Sequence, residues 1–70
     1  MEVDVERLKK LRQLRALSQQ ELADAADVER NTISRIERGD TGAHGRTLRK
    51  LADVLGVEVA QLVKTEGSDV

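Results

Sequence analysis

The chain has no cysteine and no phenylalanine, tyrosine or tryptophan. Without cysteine there is no disulfide framework, no thiolate metal site and no thiol nucleophile, and a reducing compartment fits. Without aromatic rings the core has to be built from Leu, Val, Ile and Ala, and no platform exists on which single-stranded bases stack. No apolar run approaches the ~20 residues of a membrane-spanning helix, and the acidic opening Met1-Glu2-Val3-Asp4 lacks the basic start of a signal peptide. A soluble, cytoplasmic protein is expected. His44 is the only histidine and sits in a glycine-rich stretch, as an exposed loop residue does. With no second histidine, no phosphate-cradling glycine motif and no carboxylate pair beside a nucleophile, neither an enzyme nor a metal or cofactor site is expected.

What is present is charge on a short chain. Seventy residues bury one small core, because chains this short remove only about 60% of their unfolded surface from water. The net charge of −1 runs against DNA binding, where neutralising phosphates supplies much of the affinity. The distribution of the charge runs the other way. Eleven of the twelve cations fall in two blocks, Arg7, Lys9, Lys10, Arg12 and Arg15, then Arg30, Arg35, Arg38, Arg46, Arg49 and Lys50. Most acids lie at the termini and in the second helix, where they lower nonspecific binding if turned away from DNA. Ordinary solvated helix faces would leave a similar pattern.

Apolar periodicity reads as five helices in one domain over residues 1–64, followed by a frayed tail at 65–70. Val5, Leu8, Leu11 and Leu14 follow Asp4, a good N-cap, and predict a helix from 5 to 15. Ser18 as N-cap, Glu21 as its capping-box partner and Leu17 against Leu22 as a hydrophobic staple start the second helix, which runs to Ala26. Asp27 tolerates a left-handed turn. The third helix spans about 29 to 38, with Val28, Ile33 and Ile36 inward, Arg30, Asn31, Ser34, Arg35 and Arg38 outward, and Gly39 at its end. Residues 39–45 hold three glycines and no apolar residue larger than Ala43, and read as a mobile loop. Leu48, Leu51, Ala52 and Leu55 mark a fourth helix closed by Gly56. Val57, Val59, Leu62 and Val63 suggest a fifth from 58 to 63, whose apolar residues either close the core or pair two subunits.

Two short helices joined by a tight turn, the second with a polar cationic face, match a helix-turn-helix from Gln19 to Arg38, in which one helix crosses the DNA backbone and the next enters the major groove. Arg donates two hydrogen bonds to guanine and Asn pairs with adenine, so side chains on this face can tell base pairs apart. Periodicity alone leaves a solvated helix face equally open.

Three stretches decide between these readings: Leu17-Ser18-Gln19-Gln20-Glu21-Leu22-Ala23, Thr32-Ile33-Ser34-Arg35-Ile36-Glu37-Arg38-Gly39, and Thr47-Leu48-Arg49-Lys50-Leu51-Ala52-Asp53-Val54-Leu55-Gly56-Val57. Together they resemble the Xre family of phage Cro and repressor helix-turn-helix domains, over about residues 6–63. The resemblance implies an all-α, compact lambda-repressor-like domain. It places Arg30, Asn31, Arg35 and Ser34 at base-reading positions and Gln19, Thr32, Arg38 and Ser18 against the DNA backbone. It also implies a structural ion pair between Arg12 and Glu37. Departures are Asp27 in place of the usual glycine, Glu29 in place of a frequent Ser or Thr cap, Ala43 in place of a frequent proline, and Gly45 in place of an apolar residue.

The expected function is therefore a sequence-specific double-stranded DNA-binding transcription regulator, a repressor acting on a pseudo-palindromic operator as a homodimer, since one small domain reads few base pairs. An antitoxin, or a DNA-binding fragment of a larger regulator, is compatible with the same residues. So is a protein-interaction module on this scaffold that does not touch DNA, which the net negative charge and Glu29 favour.

Overall fold

The computed structural model describes residues 2–64; the expected tail at 65–70 lies outside the described residues. Four α-helices follow one another, α1 Val5–Leu14, α2 Gln19–Ala26, α3 Arg30–Glu37 and α4 Gly45–Leu55, and then a single 3₁₀ turn, Val59–Gln61. α2 is the centre of the packing, lying against both α3 and α4, while α1 lies against α3. Leu8, Leu22, Ile33, Ile36, Leu48, Leu51, Leu55 and Leu62 are fully enclosed between them.

All four helices end in one way. The residue after the C-terminal turn is left-handed, Ala16 at φ 55°, Asp27 at 59°, Gly39 at 80° and Gly56 at 71°. The next residue's N–H then reaches back five positions, Leu17 to the Arg12 carbonyl at 3.1 Å, Val28 to Ala23 at 3.0 Å, Asp40 to Arg35 at 3.0 Å and Val57 to Ala52 at 3.1 Å. This satisfies carbonyls that a helix end otherwise leaves without partners. In three of the four cases the residue making that bond is apolar, and Leu17, Val28 and Val57 each pack against the core. The exception is Asp40 after α3, which instead accepts a hydrogen bond from Arg38. The use of a non-glycine residue at Asp27 matches its expected turn. Ala16 is the unexpected one, since no side-chain oxygen compensates it there.

The fifth helix expected at 58–63 is not formed; the 3₁₀ turn is all that remains of it. Gly56 breaks the helical path, Glu58 is extended, and after one turn Leu62 enters the core. The backbone at 62–64 then pairs with the start of the chain. The Asp4 N–H donates to the Leu62 carbonyl at 2.9 Å and the Lys64 N–H to the Glu2 carbonyl at 3.0 Å, with Val3 and Val63 as an antiparallel bridge. Groups committed to that bridge cannot also close helical turns. Val57, Val59 and Val63 are half-buried against the core, so the valines of this segment mostly serve closure. The loop between α3 and α4 is also less open than its glycines suggest, because Ala43 is only 8% exposed and belongs to the core cluster.

One buried polar contact joins the first and third helices. The Arg12 guanidinium grips Glu37 with Nε to Oε2 at 2.7 Å and Nη2 to Oε1 at 3.1 Å, and its Nη1 donates to the Leu17 carbonyl at 2.8 Å. The two side chains are 13% and 3% exposed.

Two stability changes follow from this geometry. Glu37→Ala leaves the Arg12 charge enclosed without its partner and lowers unfolding free energy by about 3–5 kcal/mol in a denaturant titration. Ala16→Gly relieves roughly 1–2 kcal/mol of left-handed strain against about 0.4–1 kcal/mol of added unfolded-chain entropy. A small rise in melting temperature is therefore expected, and a fall would show that the Ala16 methyl has a packing role.

Candidate nucleic-acid interface

The start of α2 is fixed by its own sequence. The Glu21 N–H donates to Ser18 Oγ at 3.0 Å and the Ser18 N–H donates to Glu21 Oε1 at 2.8 Å, a reciprocal capping box. That leaves the N–H groups of Gln19 and Gln20 in a first turn where a helix offers no acceptor, so they face outward with the positive end of the helix dipole. Ser18 is exposed and Gln19 half-buried.

The left-handed Asp27 then reverses the chain, and Glu29 becomes the N-cap of α3 with no side-chain capping bond. α3 starts without the oxygen that a Ser or Thr would supply, and Glu29 stays exposed at its end. The helix turns Ile33, Ile36 and Glu37 inward. Arg30, Asn31 and Arg35 are exposed and make no side-chain hydrogen bond or ion pair among the described residues. Arg and Asn side chains in that condition keep their full donor sets for a ligand. Thr32 and Ser34 are half-buried on the flanks.

The two ends of α3 carry different chemistry. At its C-terminal end, Arg38 Nε donates to Asp40 Oδ2 at 3.0 Å and Arg38 Nη1 approaches Ser34 Oγ at 3.4 Å. Arg38 remains more than half exposed, so this ion pair contributes little to stability and is open to exchange with another anion. Inside the same end, Gln19 Nε2 donates to Glu37 Oε1 at 3.0 Å. The structure thus gathers Gln19, Glu37 and Arg12 into one cluster and Ser34, Arg38 and Asp40 into another. Arg30 and Asn31 stand at the opposite end, about 10 Å away at a rise of about 1.5 Å per residue.

Arg12 makes the ion pair with Glu37 that the family resemblance implies. Other roles were hidden in the sequence. Arg15 belongs to the same cationic block, yet it is tied into the fold through Nη2 to the Leu55 carbonyl at 2.9 Å at the end of α4. Gly56 is favoured there by its left-handed φ of 71°, and a Cβ would in addition push the Arg15 guanidinium aside. Asp40 as the partner of Arg38 had no signal beyond proximity in the chain. The bridge of Val3 to Val63 had one, the alternation Glu2-Val3-Asp4-Val5-Glu6, a two-residue period short enough to be overshadowed by the helix after it. At the start of α4, His44, Arg46, Thr47 and Arg49 line a shallow concavity, and His44 makes no side-chain capping bond. Among the described residues no group of three or more His, Cys, Asp or Glu side chains is arranged to hold a metal ion, and no helix is long and apolar enough to cross a membrane.

Known proteins place this geometry. The sequence pattern of the helix-turn-helix family HTH_3 matches residues 8–62. No curated protein matches by sequence. Among solved structures, the restriction-modification controller protein C.AhdI from Aeromonas hydrophila is similar, with a TM-score of 0.77 and 32% identity over 81% of this chain and 86% of that one. An HTH_3 family transcriptional regulator from Vibrio cholerae is also similar, with a TM-score of 0.75 and 32% identity over 81% of this chain. This chain spans only 32% of the length of that regulator. These are non-enzymatic kinds of protein. With four helices, the central turn and the exposed outer face of α3 all in place, the chain belongs to the HTH_3 family of Xre-like helix-turn-helix proteins, DNA-binding transcription regulators.

Proposed function

We propose that the protein is a sequence-specific repressor that works in the cytoplasm and binds a pseudo-palindromic operator as a homodimer. The observation that carries this reading is α3, whose inner side is locked into the core by Ile33 and Ile36 while Arg30, Asn31 and Arg35 stand exposed and unpaired among the described residues. In the major groove these three read base edges, joined by Ser34 once Arg38 releases it. Gln19 and Ser18 at the start of α2, with Thr32 and Arg38 flanking α3, hold the backbone phosphates and set the register. A twofold dimer on half-sites about one helical turn apart multiplies the few base pairs that one domain reads. Similarity to a restriction-modification controller protein supports a compact regulator of this size.

A second reading, a protein-interaction module, is favoured by the net charge of −1 and by the exposed carboxylate of Glu29 at the head of α3. Selection of duplexes from a random pool, followed by sizing of the complex, separates the two. The repressor reading expects one enriched, twofold-symmetric sequence carrying two protein copies, with affinity that falls steeply with salt. No enrichment and no salt dependence would leave the interaction module standing.

Single substitutions sort the contacts. Arg35→Ala costs about 1–3 kcal/mol on the selected duplex and relaxes preference at one base position. Arg38→Ala weakens selected and random duplexes alike and lowers the salt slope by about one. Equal losses on both duplexes for Arg35→Ala would remove it from the base-reading set.

A further inference from the structure

The contact between Gln19 and the buried carboxylate of Glu37 gives that carboxylate a task beyond its ion pair. We propose that Glu37 is a positioning residue for DNA docking, holding the Gln19 amide so that its second N–H faces a phosphate at the start of α2. The inference rests on reading Gln19 as a phosphate contact.

Three donors converge on Glu37. Oε2 accepts from Arg12 Nε at 2.7 Å, and Oε1 accepts from Arg12 Nη2 at 3.1 Å and from Gln19 Nε2 at 3.0 Å. An ionised carboxylate only accepts, so the amide of Gln19 must turn its nitrogen, never its oxygen, toward Glu37. That nitrogen carries two protons, and one is spent on Glu37. The other is directed away from the carboxylate. A phosphate also only accepts, so this N–H is the single part of the amide able to meet it, while Oε1 in its place would repel it. The terminal amide torsion is broad and roughly twofold, so without a fixed acceptor behind it the group presents oxygen as readily as nitrogen. Glu37 removes that choice before DNA arrives, and the ordering of a rotamer-rich side chain is completed in the free protein. Arg12 neutralises the carboxylate at short range, so the orienting charge does not oppose the phosphate it serves.

The direction of the effect is diagnostic. Glu37→Met deletes the negative charge together with both accepting oxygens and leaves Arg12 as a net cation, which by electrostatics alone strengthens DNA binding. Loss of the orienting acceptor weakens it. Dissociation constants on the selected and on a random duplex are measured for the wild type, Glu37→Met, Gln19→Ala and the double variant, each below its own melting temperature. Each single variant is expected to bind both duplexes about ten-fold more weakly, the worth of one hydrogen bond to a charged group. The double variant is expected to be no weaker than Gln19→Ala alone. Binding by Glu37→Met that equals or exceeds wild type, or losses that multiply in the double variant, overturns the proposal. Gln19→Ala without effect, in a protein that binds its duplex, removes the docking role of Gln19 and this inference with it, whereas a wild type that binds no duplex refutes the repressor reading itself. Should Glu37→Met fail to fold, Arg12→Met with Glu37→Met replaces the pair by apolar side chains of similar volume. That variant is expected to fold and to show the same ten-fold loss, and wild-type affinity in it overturns the proposal.

Discussion

The Arg12–Glu37 pair is the contact on which the relation between the helices depends. Its guanidinium reaches α3 through two hydrogen bonds to the carboxylate and the α1–α2 connection through the Leu17 carbonyl. One side chain on α1 thus fixes both the end of α3 and the approach to α2. A buried pair of this kind returns little net stability compared with an apolar replacement, because both ions lose their hydration. What it does supply is register. Leucines packed on leucines tolerate small slides and rotations, whereas a forked donor opposite a two-oxygen acceptor tolerates few. The outward aim of Arg30, Asn31 and Arg35 follows from that register.

Helices of eight to eleven residues, such as α2, α3 and α4, are marginal on their own in water. The repeated left-handed closure shows how the chain compensates. Each helix end satisfies its carbonyls locally and, at Leu17, Val28 and Val57, uses the same turn to send an apolar side chain back to the core. The turn and the packing contact come as one unit, so a short helix is stopped and anchored in the same few residues. After α3 the pattern changes, with Asp40 in the apolar place and Arg38 as its partner. Among the described helices this is the end whose closing residue is polar, and it lies beside the proposed docking residues.

Charge separates into structural and available parts. Arg12 and Arg15 look like part of a basic surface in the linear sequence, yet the first is enclosed and the second holds the end of α4. The cations of α3, Arg30 and Arg35, are unpaired among the described residues, while Arg38 just beyond its end is paired with Asp40. A net charge near zero is compatible with a local cationic face because charge is unevenly placed along the chain. Enclosing Arg12 with Glu37 removes one charge of each sign and leaves the exposed Arg30 and Arg35 unopposed on α3. The exposed Leu14, 73% accessible at the end of α1, stands apart from this division.

The sequence by itself determined the local elements: the capping box at Ser18 and Glu21, the turn at Asp27, the stops at Gly39 and Gly56, and the inward stripe of Ile33 and Ile36. Each depends on residues within one or two helical turns, where spacing and side-chain chemistry act directly. The Xre resemblance added the Arg12–Glu37 pairing across twenty-five positions, which spacing does not reveal. Only the tertiary structure decided the rest. It turned the expected fifth helix into a 3₁₀ turn because residues 62–64 bond to residues 2–4, and it made Ala43 a core residue. It also tied the exposed Arg15 to the Leu55 carbonyl and set Gln19 against Glu37. These outcomes depend on groups far apart in the chain competing for the same hydrogen-bond partners and the same enclosed space, and that competition is settled only when the helices have packed.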